Sequence, residues 1–436
     1  MRRPSLRGPA VRWCPAAVAE AAITRTSPRR EKARQFQPAN GDRGRALAAA
    51  EAIASSIAER SPDGGDPSLC SGDAGLALLF AFRAAALGDP DSWARAHHHL
   101  DRAIDAVATR ALLPSLWTGF PGVAWVADLV GCSAGPRREP EPEAEDGNTE
   151  VDATLALMLA RPRLWPAAHD LVSGATGIGV YALDRDGRPD ATTCLRLILD
   201  RLEDAAHHDG DGTYWVTPDS GAGAGVEPGA AHGVAGPVAL LGNLAARSLE
   251  PDRTRWLLDG AVGWLLAHAG DCSEPAEPGG AGWCRGLPGI AAALLVAGAG
   301  AGVERWIDEA VRLARAAAGT PGAEEGVVDA SLCHGSAGLA HLYGRMSEAT
   351  GDRDLGAAAH HWLGRTLTWC DRARILGPGW VEGAVEPLAG PWTGTGLDQG
   401  AAGVALALLA AAASMEPVWD RMFLLSLPPE LDGGRS

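Results

Sequence analysis

The stretch SLCHGSAGLAH, residues 331–341, sets a cysteine and a histidine side by side, directly before Gly335 and Gly338. One G-x-x-G carries no information by itself; its recurrence does. Toward the N-terminus the same pattern, each time running into an apolar stretch, reads CRGLPGIAAA from Cys284, AHGVAGPVAL from Ala231, VSGATGIGVY from Val172, WTGFPGVAWV from Trp117 and CSGDAGLALL from Cys70. Toward the C-terminus it reads DQGAAGVALA from Asp398. The first glycines are Gly72, Gly119, Gly174, Gly233, Gly286, Gly335 and Gly400, separated by 47, 55, 59, 53, 49 and 65 residues. Seven copies at such spacing are the signature of a repeat architecture.

The repeats share an anatomy. The second glycine opens an apolar run, as in GLALLFAFRAAALG from Gly75; a polar loop and a longer amphipathic stretch follow. In DSWARAHHHLDRAIDAVATRAL the apolar residues Trp93, Ala96, Leu100, Ile104, Ala106 and Val107 fall at helical spacing. No sustained period-two alternation suggests strands. Each unit therefore reads as a helical hairpin, with an apolar inner helix and an amphipathic outer one. An open solenoid needs polar end caps, yet the first and last copies are as apolar as the middle ones. The expectation is an all-α ring of seven hairpins over residues 46–425, with the G-x-x-G loops gathered at one end. The glycines are expected to supply positive φ, to let backbones approach closely, and to bare the first amides of each inner helix.

Composition narrows the function. The chain has 436 residues, 46% hydrophobic, and eight cysteines, too few for a disulfide scaffold. No apolar run is long enough for a membrane span, and residues 1–45 contain no signal-peptide core. The cytoplasm is the expected compartment. The net charge of −16 divides into +8 for residues 1–45 and −24 for the remainder. Residues 1–45 read as a disordered basic arm and 426–436 as a tail. The acidic body argues against nucleic acid as partner and favours a basic or neutral peptide. Residues 135–150 read as a surface loop, and 218–229 as a loop near the cavity mouth.

If the loops share one rim, Cys284, Cys333 and His334 meet there from adjacent repeats. Two thiolates, one imidazole and an open fourth position make a catalytic zinc set. His232, directly before Gly233, and Asp170, four residues before Gly174, suit proton transfer, the carboxylate fixing the imidazole. A histidine merely hydrogen-bonded within its loop is the competing reading. His97, His98, His99, His207, His208, His360 and His361 read as solvated. Cys70 reads as a small buried residue or a spare ligand; Cys14, Cys132, Cys194, Cys272 and Cys370 have no visible partners.

These motifs, WCRGLPG and LCHGSAG above all, resemble the lanthionine synthetase C-like family over roughly residues 45–425. The resemblance implies an α/α toroid of seven inner and seven outer helices, with zinc held by Cys284, Cys333 and His334. It also implies that His232 handles a proton with Asp170 as its partner. The implied activity is thioether cyclisation: peptide cysteines add to dehydroalanine or dehydrobutyrine, in a precursor peptide with a leader that a separate dehydratase has modified. One departure stands out. Some members carry an arginine four residues before the first ligand cysteine, where this chain has Gly280; Arg285, next to Cys284, is the candidate substitute. Competing readings are another zinc-dependent thiol transferase, adding glutathione or a prenyl group, and a non-catalytic peptide-binding scaffold.

Overall fold

The structure is a computed structural model and describes residues 38–60, 65–132, 146–161, 168–185, 187–217, 225–271, 280–320, 323–376, 394–413 and 415–425. Helix α1 covers Asn40–Arg60. Inner helix α2 (Asp73–Leu87) is followed by outer α3 (Pro90–Thr109), α4 (Phe120–Cys132) by α5 (Thr149–Leu159), and α6 (Ala175–Asp184) by α7 (Pro189–Ala205). A short antiparallel ribbon, β1 (His207–His208) with β2 (Thr213–Tyr214), precedes the pair α8 (Ala235–Ala246) and α9 (Pro251–His268). Then come α10 (Leu287–Ala301), α11 (Glu304–Ala318), the single turn α12 (Ala323–Gly326), α13 (Ser336–Thr350), α14 (Arg353–Leu376) and α15 (Ala401–Ala412). The result is an α/α toroid.

The layers follow from hydropathy. In α10 every residue from Pro288 to Gly298 is buried, as an inner helix walled on all sides requires. Outer α11 buries only Trp306, Ala310, Leu313 and Ala314, a stripe at helical spacing. Each inner helix touches the next, and α15 touches α2, so the inner ring closes. The chain ends complete the outer ring: α1 packs on α15, burying Ala46, Ala50, Ala54 and Ile57. Arg43 of α1 donates to the carbonyl of Ala412 at 2.6 Å. Because α1 starts at Asn40, the last six residues of the stretch read as an arm are helical. Residues 1–37, the tail 426–436 and most of the 135–150 loop lie outside the described residues.

The glycines act through close approach. A Cβ on the second glycine of each copy would meet the carbonyl oxygen six residues earlier: Leu69 for Gly75 at 2.3 Å, Leu116 for Gly122, Trp283 for Gly289, Leu332 for Gly338 and Leu397 for Gly403, the last four at 1.9 Å. At most seams it would also press on the preceding repeat's side chain, as Leu397 on Gly75 and Leu69 on Gly122. None of these loop glycines has positive φ, contrary to expectation; Gly72, Gly174, Gly286, Gly335 and Gly400 are extended. The first helical amides are not bare either. They donate to loop carbonyls seven residues earlier, as Asp73 to Asp66, Ala175 to Ala168, Ser336 to Asp329 and Ala401 to Gly394. Gly289→Ala is thus expected to cost more than the ~1–3 kcal/mol of ordinary overpacking, because backbone rather than a side chain must yield. Gly364→Ala, in α14 with nothing near its Cβ, is expected to gain about 0.5–1 kcal/mol. Denaturant unfolding of the two variants measures both.

The barrel interior is filled by the chain's own C-terminal segment. A 3-10 turn, Val418–Phe423, lies among the inner helices. Trp419 stacks on His341 at 4.5 Å, and Asp420 is buried against His341 and Arg345 at 3.1 and 2.8 Å. Phe423 reaches Trp117 and Trp283 in the G-x-x-G loops, with ring centroids at 5.2 and 4.6 Å. Tryptophans scattered in sequence therefore converge here, as packed core beneath the rim.

His99 departs from the solvated reading. It is buried, its Nδ1 lies 2.8 Å from Asp73 Oδ1, and its ring stacks on Phe80, fastening α3 to α2. His207, His208 and His361 are exposed as expected.

Candidate metal and acid–base site

Neighbouring loops are stitched by backbone hydrogen bonds around most of the rim. Cys70 donates to Trp117, Leu171 to Ala231, Ala231 to Cys284, Cys333 to Asp398 and Leu397 to Cys70, at 2.6–3.2 Å. Between the second and third loops a side chain serves, Ser115 Oγ donating to Val172 O at 2.9 Å. Among the described residues, no such backbone bond joins the fifth and sixth loops. There Gly282 lets the chain at His334 come close, since a Cβ would sit 2.5 Å from His334 Cα. At that seam Cys284, Cys333 and His334 meet, their ligand atoms all within 4.8 Å of one another and each residue partly buried. The two ligand loops are pinned on their far sides, Cys284 O by Ala231 and Cys333 N by Asp398, which holds the gap at a fixed width.

The electrostatics suit a divalent cation. Cys284 is pulled well down, first by the hydrogen bond from the Cys333 thiol, against the opposing effect of burial and with further help from His334. Cys333 is pushed up, first by that same bond. His334 is raised to about 10, first by Asp329 and then by Cys284. The cluster thus favours a thiolate at Cys284, a thiol at Cys333 and an imidazolium at His334, and a metal would displace the protons of the last two. Asp329 Oδ2 lies 3.2 Å from His334 Nε2, leaving Nδ1 as the ring nitrogen for a metal, a usual carboxylate–histidine arrangement. Asp329 Oδ1 accepts from the Ser331 amide at 2.8 Å. The residues fit zinc: two sulfurs, one nitrogen and a carboxylate behind the imidazole.

Asp329 was missed in sequence. Its signal was the offset: Asp66, six residues before Gly72 as Asp329 is before Gly335, makes the same turn, accepting from the Ser68 amide. Cys70 lies outside the metal cluster, its sulfur within hydrogen-bond reach of Ser68 and Ser71. Cys194 and Cys370 are buried free thiols. Arg285 is exposed.

His232 and Asp170 also meet. His232 Nδ1 lies 3.5 Å from Asp170 Oδ2; the imidazole is 46% exposed and the carboxylate 5%. Asp170, first through this hydrogen bond and then through its charge, raises the histidine against burial. Asp170 Oδ1 accepts from the Ser173 amide, which fixes the carboxylate at the head of α6. Ala231, adjacent to His232, donates to Cys284 O, so the acid–base pair and the metal cluster share one stitched edge.

A family model for the lanthionine synthetase C-like protein matches residues 61–424. No curated protein matches the chain. Among solved structures, one titled nisin cyclase is 17% identical, covering 86% of this chain and 96% of its own, with a TM-score of 0.65. At that identity the likeness speaks for the fold. Among the described residues no helix is long and apolar enough to cross a membrane.

Proposed function

The chain belongs to the lanthionine synthetase C-like family, and on that premise we propose that it is a zinc-dependent cyclase forming thioether rings in a dehydrated precursor peptide. The observation that carries this reading is the cluster of Cys284, Cys333 and His334 on the rim it shares with His232 and Asp170. Zinc bound there would acidify a substrate cysteine and keep it as thiolate, a necessary task because a free thiol with pKa about 8.5 is mostly protonated at neutral pH.

The chain's residues supply the rest. Asp329 orients His334, and the stitched loops keep both cysteine sulfurs facing the same gap. The substrate sulfur adds to the β-carbon of dehydroalanine or dehydrobutyrine, forming the C–S bond and moving the alkene electron pair into an enolate. His232 then delivers a proton to the α-carbon. Its Nδ1 faces Asp170, so Nε2 is the nitrogen that presents the proton, and Asp170 stabilises the charged imidazole. With Gly280 where some members carry an arginine, this reading assigns the enolate to protonated His232. The proton lost by the thiol balances the proton gained at carbon. Dehydration falls to a separate enzyme, and the peptide is expected to carry a leader; the site is expected to work in the cytoplasm.

The test is mass spectrometry of a dehydrated peptide incubated with the protein. Cyclisation leaves the mass unchanged while its cysteines stop reacting with an alkylating reagent. A gain of one glutathione or one prenyl group makes the protein a transferase. Binding with cysteines left free makes it a scaffold.

A further inference from the structure

The backbone of His232 is held by groups outside the acid–base pair. Its carbonyl oxygen accepts from Thr217 Oγ1 at 2.8 Å, and the His169 imidazole lies close to the same backbone. His169 is buried, and burial pushes its pKa down to about 4, so it is neutral near neutral pH. Its Nε2 is buried without a partner among the described residues, which leaves the other nitrogen to face the His232 backbone. Both side chains are themselves braced. Thr176 Oγ1 donates to His169 O at 2.5 Å, Trp215 stacks on the His169 ring at 6.0 Å, and Trp215 Nε1 donates to Leu202 O of α7 at 2.9 Å. The Thr217 amide donates to Gly225 O at 2.9 Å. The brace therefore runs from an outer helix, through the residues following β2, to the rim.

We infer that His169 and Thr217 form a two-donor clamp on the His232 carbonyl that positions its imidazole over Asp170. Backbone bonds pin the loop on either side of His232, the Ala231 amide to Cys284 O and the Gly233 amide to Gly229 O, and the His232 carbonyl lies between them. The His232–Asp170 distance of 3.5 Å is at the long limit of a hydrogen bond. A shift of a few tenths of an ångström in the backbone therefore decides whether the contact exists, and orientation errors of that size are costly in rate. His169 and Thr217 are positioning residues in this scheme, since both are buried. The inference rests on the reading of His232 as proton donor.

The experiment uses zinc-loaded full-length protein with labelled histidine, His232 being assigned by its loss in His232→Asn. Thr217→Val and His169→Leu remove one donor each; Thr217→Ser and His169→Gln keep one. In Thr217→Val and His169→Leu the His232 titration is expected to move to lower pH, with zinc content unchanged. The kcat for cyclisation falls about tenfold, equivalent to about 1.4 kcal/mol of lost orientation, with KM held. Thr217→Ser and His169→Gln are expected to restore both. A His232 titration unmoved in Thr217→Val and His169→Leu overturns the clamp, as does an equal loss in all four variants that follows their melting temperatures. The titration is independent of the reaction: a shift in a protein that cyclises nothing keeps the clamp and removes the cyclase reading.

Discussion

Cys333→Ala is expected to abolish both zinc retention and cyclisation while leaving the toroid folded. The residue lies in a loop, not in an inner helix, and its amide bond to Asp398 involves backbone only, so alanine preserves it. What is lost is one of two sulfurs in a three-ligand site. Structural zinc in small peptides is held with an apparent ~10–16 kcal/mol at pH 7, and removal of a thiolate takes a large part of such an energy. Asp329→Asn gives the graded comparison. It touches the metal only through His334 Nε2, so affinity is expected to fall about 10–100-fold with zinc still present at saturating concentration. Chelator competition measures both, and circular dichroism checks the helices. Full zinc in Cys333→Ala would move the metal elsewhere and end the present assignment of the site.

His232→Gln is expected to keep its zinc and lower the cyclisation rate by about 10²–10⁴, the usual worth of a positioned acid or base. The pH dependence fixes the direction of proton transfer. Asp170 raises His232 above its ordinary value, which is about 6.5. A donor must be protonated, so the rate persists up to that raised pKa and falls as pH climbs through it. Asp170→Asn removes the largest cause of the increase, and the falling limb is expected to move down toward pH ~6.5. The same sign governs stability: the pair's contribution is present below the unfolded pKa and is lost as pH rises through the folded one. A rate that instead grows with pH through this interval would make His232 the acceptor of the thiol proton.

Much of this molecule was legible from periodicity. Seven G-x-x-G copies, each opening a largely apolar helix, favour a closed inner ring, because most faces of those helices must be buried. The meeting of these residues was legible for the same reason: Cys284 and Cys333–His334 occupy equivalent positions in adjacent repeats, which brings their ligand atoms within 4.8 Å of one another. The glycines were only half legible. A sequence cannot say whether glycine serves positive φ or missing volume, and here the loop carbonyls at 1.9–2.7 Å from each would-be Cβ settle it as volume. His99 was misread because a run of three histidines hides which one faces inward; the register of α3 on α2 selects His99 for Asp73.

What the sequence determined alone is the repeat, the layers and the donor types, since these depend on local pattern and on hydropathy summed along helices. The tertiary structure decided what depends on contacts between distant segments. Those contacts make α1 the outer partner of α15, place Asp329 behind His334, carry the C-terminal turn up the barrel to Trp283, and, among the described residues, leave the seam between the fifth and sixth loops without the backbone stitch found at its neighbours. No periodicity encodes these features, because each is a single contact made once in the chain, fixed by how the closed ring fills its own centre.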